Sequence, residues 1–535
     1  MPTLRQSNAM SRFLLFVLVA LLVGCASDSN PKATVNRLVY GLTLSPSGFD
    51  PHINQSSEMG IVLRQVYDTL IYRDPDTGQF VPGLAASWSI SEDQTIYTFV
   101  LRQDVTFHDG TRFDAQAVAT NVNRIVSPEA RSQNAAALLG TYDGYTVIDD
   151  FTIEIRLSEP YAPLLDSLSQ FYLGMASPTA LETYGLERYQ FNQVGTGPYR
   201  FVEYVPDDRL VIRRNPDYTW GPSFYQAPAN GVIDEVEFRF FRDPATRLTT
   251  LEQGGAQVMG EIPPADARTL VGNSAFQIIT AVVPGQPDQI LLNTQLAPTN
   301  NQSFRQALML GTNRTAMVDA LYQGFSTPAT GALTRGTQFY SDASANRYPF
   351  DGQQARALLS TLGYADTNAD GIWDTPEGDL TLKMLVPPWG EFRQISQFMQ
   401  DQWHSIGINL ELISVPDFST LMSEIAKGEY HLVAFNSYGV DPAFLKTYYA
   451  SDGSRNFSGY SSPELDSLLN DAGRQLDPTL RAALYKQVQA VIIEQAVVMP
   501  LRDRINLNGV SSKVSGLKYD AYGWFPVLYN ASYSP

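Results

Sequence analysis

The segment from Asp366 to Glu377 carries oxygen-bearing side chains at a spacing that suits calcium. Its sequence, DTNADGIWDTPE, satisfies D-x-[DN]-x-[DN]-G-x5-E, in which short oxygen side chains alternate around one centre and Gly371 allows the sharp turn. A helical pattern precedes the segment and a strand pattern follows it, so we expect a helix-loop-strand variant. The alternative is an Asp/Asn/Gly turn that binds no ion. The candidate ligands of a structural calcium ion are Asp366, Asn368, Asp370, the carbonyl of Ile372, Asp374 and Glu377.

The only cysteine, Cys25, lies two positions after the end of an apolar run at 13–23, and two arginines precede this run. This run is shorter than the roughly 20 residues that span a membrane, so it indicates a secretory signal. The residues Leu-Val-Gly-Cys at 22–25 resemble a bacterial lipobox, whose cysteine takes a diacylglyceryl group and becomes the N-terminus after cleavage. We therefore expect a signal peptide at 1–24, a lipidated tether at 25–36 and lipidation at Cys25. The alternative is an ordinary signal with a coincidental cysteine.

Enzyme signatures are missing from the sequence. It contains no GxSxG, HExxH, GxxxxGK[ST] or GxGxxG motif. Its four histidines, His52, His108, His404 and His431, are scattered, and we expect them to be structural or exposed. A single cysteine also excludes a disulfide framework, a CxxC redox centre and a thiolate zinc site. We predict a protein that is not an enzyme and requires no cofactor beyond the possible structural calcium ion.

Composition and charge exclude further classes of protein. The chain has 37 Lys and Arg against 55 Asp and Glu, a formal net charge of −18, and no basic run. Phosphate binding needs clustered positive charge, so a nucleic-acid partner is not expected. With 44% hydrophobic and 17% charged residues the chain is neither disordered nor a coiled coil. Its 535 residues correspond to about three or four domain-sized units.

The elements that would position these residues form two blocks. In the first block, strands are predicted at 37–44, 97–102, 152–157 and 232–241, with a strand-rich stretch at 197–214, and helices at 57–70, 114–125 and 244–253; a strand at 291–293 leads into the second block. Asp114 is the predicted N-cap of the second of these helices. In the second block, helices at 303–310, 314–322, 352–362, 392–406, 418–427, 462–470 and 478–494 alternate with strands at 380–386, 408–414, 431–436, 497–502 and 506–510. This alternation indicates a βαβ-type sheet.

Several segments together resemble one family. Residues 67–125 carry YDTL, PGLAASW and YTFVLRQDVTFHDGTRF in the order and spacing of the peptide/nickel family of ABC-transporter solute-binding proteins. Further resemblances are VGTGPY at 194–199, RNPDY at 214–218, FRQAL at 304–308 and FSGYSSPELDSLL at 457–469. The resemblance covers about residues 37–505, nearly the whole mature chain.

The resemblance implies an α/β fold: a two-lobed periplasmic-binding-protein-like (type II) clamp, joined by two chain crossings, with an extra subdomain inserted in the first lobe. We expect lobe I at 37–60 with 190–290 and 501–535, the inserted subdomain at 61–189 and lobe II at 291–500. In such a clamp the solute shifts an open-closed equilibrium towards the closed form.

The resemblance also points to cleft residues. In peptide-binding members an aspartate in this region pairs with the α-amino group of the peptide, and alignment on Pro442 places Tyr438 at that position. Either Asp441 serves instead, or the solute lacks a free α-amine; Asp441 could equally be a turn-initiating Asp-Pro. The candidate ligand-binding residues are Leu44, Ser45, Ser47, Phe435, Asn436, Ser437, Tyr438, Gly439 and Asp441.

The function implied is an extracytoplasmic lipoprotein that delivers a solute, most simply a short peptide, to an ABC importer permease. The alternatives are a non-peptide solute, such as a chelated metal, an opine-like compound or an oligosaccharide, and a receptor that does not transport. We expect a monomer that touches the membrane only through its lipid anchor, in the periplasm or at the outer face of the cell membrane.

Overall fold

The computed structural model describes residues 35–43, 48–53, 57–132 and 134–535. Cys25 and the predicted signal peptide lie outside these residues. None of the helices in the described ranges has the length and apolar character needed to cross a membrane. The α-helices are Gly60–Val66, Ala115–Val126, Asn134–Leu138, Leu164–Ser167, Pro178–Arg188, Arg247–Glu252, Pro264–Leu270, Gln302–Leu310, Arg314–Tyr322, Gly352–Thr361, Phe392–Ser405, Phe418–Lys427, Leu445–Tyr449, Pro463–Arg474 and Pro478–Glu494.

The first lobe is built on a seven-stranded sheet, the first sheet. Its inner strand Arg37–Leu42 is parallel to Glu235–Phe240 on one side and to the short Val258–Met259 on the other. The buried residues of the inner strand follow the alternating apolar pattern of the sequence. In spatial order the strands are Phe276–Val282, Ile505–Ser511, Val258–Met259, Arg37–Leu42, Glu235–Phe240, Arg209–Arg214 and Tyr199–Val205.

The second lobe is built on a five-stranded sheet, the second sheet. Its strand Thr381–Val386 is parallel to both neighbours, as the helix-strand alternation predicts, whereas Asp288–Leu292 is antiparallel to both of its own. In spatial order the strands are Asn409–Ser414, Thr381–Val386, Leu432–Phe435, Asp288–Leu292 and Val498–Arg502.

Two chain crossings join the lobes. One runs from Phe276–Val282 in the first sheet to Asp288–Leu292 in the second, and the other returns from Val498–Arg502 to Ile505–Ser511. The crossings lie side by side, because the amide of Val283 donates to the carbonyl of Arg504 at 3.0 Å. Paired crossings of this kind let two lobes rotate about one hinge.

A third, four-stranded sheet lies in the chain between the first two long strands of the first sheet. Its spatial order is Ala85–Ile90, Ile96–Leu101, Thr152–Leu157 and Tyr142–Asp149, all antiparallel. The helix Ala115–Val126 covers it, and Asp114 caps that helix by accepting from the amide of Ala117 at 2.9 Å, as predicted. Short two-stranded ladders pair Ile71–Arg73 with Phe80–Pro82, Asp374–Thr375 with Gly378–Asp379, and Val514–Ser515 with Ser532–Tyr533.

Buried hydrophobic side chains form one cluster under the first and third sheets and another around the second sheet. Separate cores allow each lobe to keep its packing when the cleft opens. Two side chains of the 435–441 segment, Tyr438 and Val440, nevertheless pack against the cluster of the first lobe. The described structure is therefore one in which the lobes touch.

Some predicted elements differ from the structure. The helix expected at 57–70 is a single 3-10 turn followed by Gly60–Val66, because Tyr67 is extended and the chain turns into the strand Ile71–Arg73. The strands Ala85–Ile90 and Tyr142–Asp149 and the helix Pro178–Arg188 were not predicted. Both strands carry largely exposed faces, so their sequences lack a clear apolar alternation.

Candidate functional site

The predicted ligand-binding residues Leu44, Ser45 and Ser47 lie outside the described residues. They follow Thr43, which leaves the carboxyl end of the strand Arg37–Leu42. Ligands of open α/β sheets bind beyond the carboxyl ends of strands, because loops from both sides of the sheet converge there. The candidate site is therefore expected at the described part of this end of the first sheet.

The segment Phe435–Gly439 leaves the second sheet beside a crossing. Asn436 donates from Nδ2 to Asp288 Oδ1 at 2.7 Å, and Ser437 accepts from the amide of Gln286 at 2.8 Å. A bridge also pairs Gly285 with Tyr438. These contacts fix the segment to the hinge and hold it between the lobes.

Tyr438 faces the first lobe, where its ring lies 6.3 Å from that of Tyr522 and 5.9 Å from that of Phe525, both nearly perpendicular. Burial raises the pKa of Tyr438 well above its ordinary value, and the neighbouring Tyr172 adds to this. The position that resemblance aligned with an amine-binding carboxylate thus carries a neutral phenol in an aromatic interface.

Asp441 is engaged inside the second lobe. Its two carboxylate oxygens accept from Arg481 at 2.5 and 2.8 Å, and both side chains are buried. Asp441 also accepts from the amide of Ala443 at 2.9 Å, so it caps the turn that begins at Pro442. This is the turn-initiating alternative, in which Arg481 and the amide of Ala443 hold the Asp441 carboxylate within the second lobe.

A cavity of about 240 Å³ lies between the lobes, and we call it the interlobe cavity. The first lobe contributes polar and aliphatic groups from four strands and their adjoining loops, and the second lobe contributes aromatic groups and the carboxylate of Glu391. Its wall includes Thr43, Arg247, Glu261, Ile262, Ile505 and Leu507 from the first lobe, Tyr322, Phe325, Trp389 and Glu391 from the second, and Arg502 at a crossing.

Carboxylates meet at the Thr43 end of the interlobe cavity. The amide of Thr43 donates to Glu58 Oε1 at 2.6 Å, and its hydroxyl lies 3.0 Å from that oxygen and 2.7 Å from Glu261 Oε2. Glu391 reaches the same cavity from the other lobe. Burial raises the pKa of Glu391, and the negative charge of Glu261 raises it further while Arg502 lowers it.

The guanidinium groups in the wall already have protein partners. Arg247 donates to the carbonyls of Phe241, Glu261 and Arg242 at 2.8 to 3.3 Å. Arg502 lies 2.6 Å from a carboxylate oxygen of Asp288. Both guanidinium groups keep their positive charge, and both lower the pKa of Glu391, so the cavity presents cations as well as carboxylates.

The predicted calcium loop lies on the surface of the second lobe. Asp366 Oδ2 accepts from the amide of Gly371 at 3.0 Å and Asp374 Oδ2 accepts from the amide of Thr367 at 2.5 Å, so the loop is closed by its own backbone. Glu377 lies exposed in the turn of the Asp374–Thr375 hairpin. Within the described ranges no group of three His, Cys, Asp or Glu side chains is placed to hold a metal ion. Calcium binding by Asp366, Asn368, Asp370, Ile372, Asp374 and Glu377 stays a prediction.

Sequence reasoning missed the wall of the interlobe cavity. Glu261, Trp389 and Glu391 belong to no motif, and they come together only when the two lobes face each other. The one signal in the sequence was the strand end before residue 44, which located one wall but not the opposite one.

Comparison with known proteins gives consistent findings. Residues 79–458 match the family model described as bacterial extracellular solute-binding proteins, family 5 Middle. A glutathione-binding protein of Pectobacterium atrosepticum is 27% identical over 512 residues, covering 93% of this chain and 95% of that protein.

Two solved structures share the fold. NikA from Brucella suis, in complex with Fe(III)-EDTA, superposes with a TM-score of 0.83 at 21% identity, over 93% of this chain and all of that one. A dipeptide-binding protein from Pseudoalteromonas sp. SM9913, in complex with Met-Leu, gives a TM-score of 0.79 at 22% identity, again over 93% of this chain and all of that one. Both are two-lobed α/β proteins of the periplasmic-binding type, and this chain has the same fold.

Proposed function

We propose that this chain, which belongs to the family 5 bacterial extracellular solute-binding proteins, captures a short peptide between its lobes and delivers it to the permease of an ABC importer. As a member of that family it is a solute-binding protein and not an enzyme. The family acts outside the cytoplasm. The solute, the permease and the mode of attachment are the parts that we propose.

The observation that carries the proposal is the interlobe cavity, set between two lobes that are joined by adjacent crossings. A solute bound there contacts both lobes only when they are closed, so its binding free energy favours the closed form. A permease that recognises the closed form would then receive only loaded protein.

A short peptide is the favoured solute for two reasons. One full-length relative is named for glutathione, itself a tripeptide, and one structural neighbour holds the dipeptide Met-Leu. The cavity has both acidic and aromatic walls, which suit an amine and an apolar side chain. The NikA neighbour holds a metal chelate, so a non-peptide solute is the alternative.

Attachment through Cys25 belongs to the same proposal. Two or more acyl chains on one residue anchor a protein stably to a membrane. The polar segment at 27–34 would let the lobes stand off the bilayer. We expect Cys25→Ser to move the protein from the membrane fraction to the soluble fraction, and unchanged membrane retention would contradict lipidation.

The test uses the chain from residue 26 onward, which keeps every residue that the structure describes. Native mass spectrometry of gently purified protein should show adducts that resolve into short-peptide masses. Calorimetry should then give saturable binding of Met-Leu or glutathione. A single non-peptide adduct, or protein that no peptide in a mixed pool shifts, would contradict the peptide proposal.

A further inference from the structure

The chain contains two Asn-Gly pairs, and the structure places them in opposite surroundings. Asn230 and Gly231 lie in a bend at the surface of the first lobe. Asn508 and Gly509 lie inside the strand Ile505–Ser511 of the first sheet. An asparagine before glycine is open to attack by its own main chain, because glycine has no side chain to shield its amide nitrogen. The two pairs therefore differ in reactivity only through their surroundings.

The Asn508 pair is locked in the sheet. Asn508 is 1% exposed, and its Nδ2 donates to Asn506 Oδ1 at 2.9 Å. Gly509 is paired with Met259 on one side and with Ile278 on the other. Attack by the amide nitrogen of Gly509 would require the sheet to open first. This pair is therefore an internal reference for slow reaction.

The Asn230 pair has none of these restraints. Asn230 is exposed, and within the described part of the chain neither its side chain nor the amide of Gly231 makes a hydrogen bond. Gly231 has a φ of 68°, in the left-handed region that favours glycine. The side-chain carbonyl carbon, the main-chain nitrogen that can attack it and solvent water thus meet at one exposed bend.

The reaction open to this pair needs only the chain and water. The main-chain nitrogen of Gly231 forms a bond to Cγ of Asn230, the bond from Cγ to the amide nitrogen breaks, and ammonia leaves with the proton of the Gly231 amide. Water then opens the resulting succinimide at either carbonyl, which gives aspartate or isoaspartate. Both products carry a new negative charge, and isoaspartate also lengthens the main chain by one methylene.

Gly231 belongs to a set of contacts that fastens three segments of the first lobe, and we call Asn36, Gly231, Val232 and Tyr533 the junction. The amide of Tyr533 donates to the carbonyl of Gly231 at 2.8 Å. Asn36 Nδ2 donates to the carbonyls of Val232 at 2.9 Å and Tyr533 at 2.8 Å. A Cβ atom on Gly231 would lie 3.1 Å from the carbonyl oxygen of Tyr533. The junction thus has little space for a longer main chain.

We propose that Asn230 is a site of spontaneous deamidation, at which attack by Gly231 yields isoaspartate and aspartate and loosens the junction. The junction lies at the amino end of the strand Arg37–Leu42, because Asn36 directly precedes that strand. The interlobe cavity lies beyond the other end of the same strand, at Thr43. Deamidation of Asn230 therefore does not depend on which solute the cleft takes.

Peptide mapping by mass spectrometry tests the site. The chain from residue 26 onward is incubated in mildly alkaline buffer, and Asn230 should gain the mass that replacement of NH2 by OH adds. Asn508 in the same samples should convert at least about tenfold more slowly, because its reaction waits on local opening of the sheet. Asn230→Gln should stay unmodified, since its longer side chain would have to close a six-membered ring. Asn273→Gln, at an exposed asparagine that precedes serine, is the matched control and should leave conversion at Asn230 unchanged.

Hydrogen exchange then tests the junction. After incubation, the amide of Tyr533 should exchange faster than in fresh protein, because its bond to the carbonyl of Gly231 is disturbed. Incubated Asn230→Gln should exchange at this amide as its fresh form does.

Each outcome bears on one part of the proposal. Conversion of Asn230 no faster than that of Asn508 overturns the deamidation site. Conversion of Asn230 with unchanged exchange at Tyr533 overturns the loosening of the junction. Faster exchange that also appears in incubated Asn230→Gln would assign the change to general ageing of the protein and would overturn the role of Asn230.

Discussion

Asp441 fits the sequence pattern expected of a ligand-binding residue, but in the structure its carboxylate pairs with the guanidinium of Arg481. Their doubly hydrogen-bonded pair is buried within the second lobe, and Arg481 also donates to the carbonyl of Ala472. Asp441 follows a segment that reaches the cleft, and from the sequence alone its direction could not be known. In the structure the carboxylate is oriented by its contact with Arg481, forty residues along the chain, and a role of Asp441 in solute binding stays a prediction.

We therefore expect Asp441→Asn to act on stability. It leaves the Arg481 guanidinium buried without a counter-charge, so the free energy of unfolding should fall by about 3 kcal/mol. Denaturant unfolding measures this, and the double variant Asp441→Asn/Arg481→Met should recover part of the loss. If Asp441→Asn folds with unchanged stability but loses Met-Leu, Asp441 is a ligand contact after all.

His52 should make the protein sensitive to acid. Its Nε2 lies 2.9 Å from the carbonyl of Gly174 and its Nδ1 lies 2.7 Å from a guanidinium nitrogen of Arg124, so the ring is neutral, with its proton on Nε2. Burial, with the charge of Arg124, lowers the pKa of His52 from 6.5 to about 4. Between those values the unfolded chain binds a proton that the folded chain does not, so the free energy of unfolding falls as the pH falls.

The size of this effect is about 2 kcal/mol or more, since one pKa unit corresponds to about 1.4 kcal/mol. Unfolding of the protein and of His52→Gln should be compared from pH 7 to pH 4. The stability difference between them should shrink or reverse across this window, because only the histidine gains a proton in the unfolded chain. Parallel curves for the two proteins would contradict the assignment.

Among the helices and strands, the sequence correctly predicted those features that depend on a few neighbouring residues. The Asp114 cap and the strand at 152–157 were correct, because each depends on a few neighbouring residues. The helix expected at 57–70 was too long, because the apolar spacing continues into Leu70 and Ile71, which are buried in a bend and in a strand. Burial explains their hydrophobicity without a helix.

The loop at 366–377 carries the next prediction. Its backbone is already closed by Asp366 and Asp374, and its remaining oxygens must turn inwards to bind an ion. We expect calcium to raise the Tm of chelator-treated protein, by linkage of binding to folding. Asp370→Ala should abolish the rise, whereas Asp379→Ala, an exposed acid in the adjoining hairpin, should keep it. Identical Tm values with chelator and with calcium would mean that the loop is an ion-free turn.

At the scale of the whole molecule, the two-lobed clamp followed from family resemblance, and neither periodicity nor composition could supply it. The first and second sheets each combine strands that lie hundreds of residues apart in the chain. The interlobe cavity depends further on the angle between the lobes, which no local pattern encodes. Glu261 and Glu391, 130 residues apart, became candidates only once both were seen in one wall.

The closed form is held by contacts far from the cavity. Arg474 of the second lobe pairs with Glu159 beside the third sheet, and the amide of Ala162 donates to the carbonyl of Gly473 at 2.9 Å. Arg73, on the same side, donates to Gln338 of the second lobe at 3.0 Å. Opening the cleft must separate these groups, so they stabilise the closed form alone.

We expect Arg474→Ala to weaken Met-Leu binding by up to about fivefold, chiefly through faster dissociation. Both partners are half-exposed, and exposed ion pairs contribute at most about 1 kcal/mol. Arg347→Ala is the matched control, because Arg347 and Glu494 form a similar exposed pair within the second lobe, which opening leaves intact. Stopped-flow dissociation and calorimetry of both variants measure the difference. Equal affinities would show that the Arg474–Glu159 pair does not restrain the lobes, whereas weaker binding in Arg474→Ala alone would place part of the closure energy at the inserted subdomain.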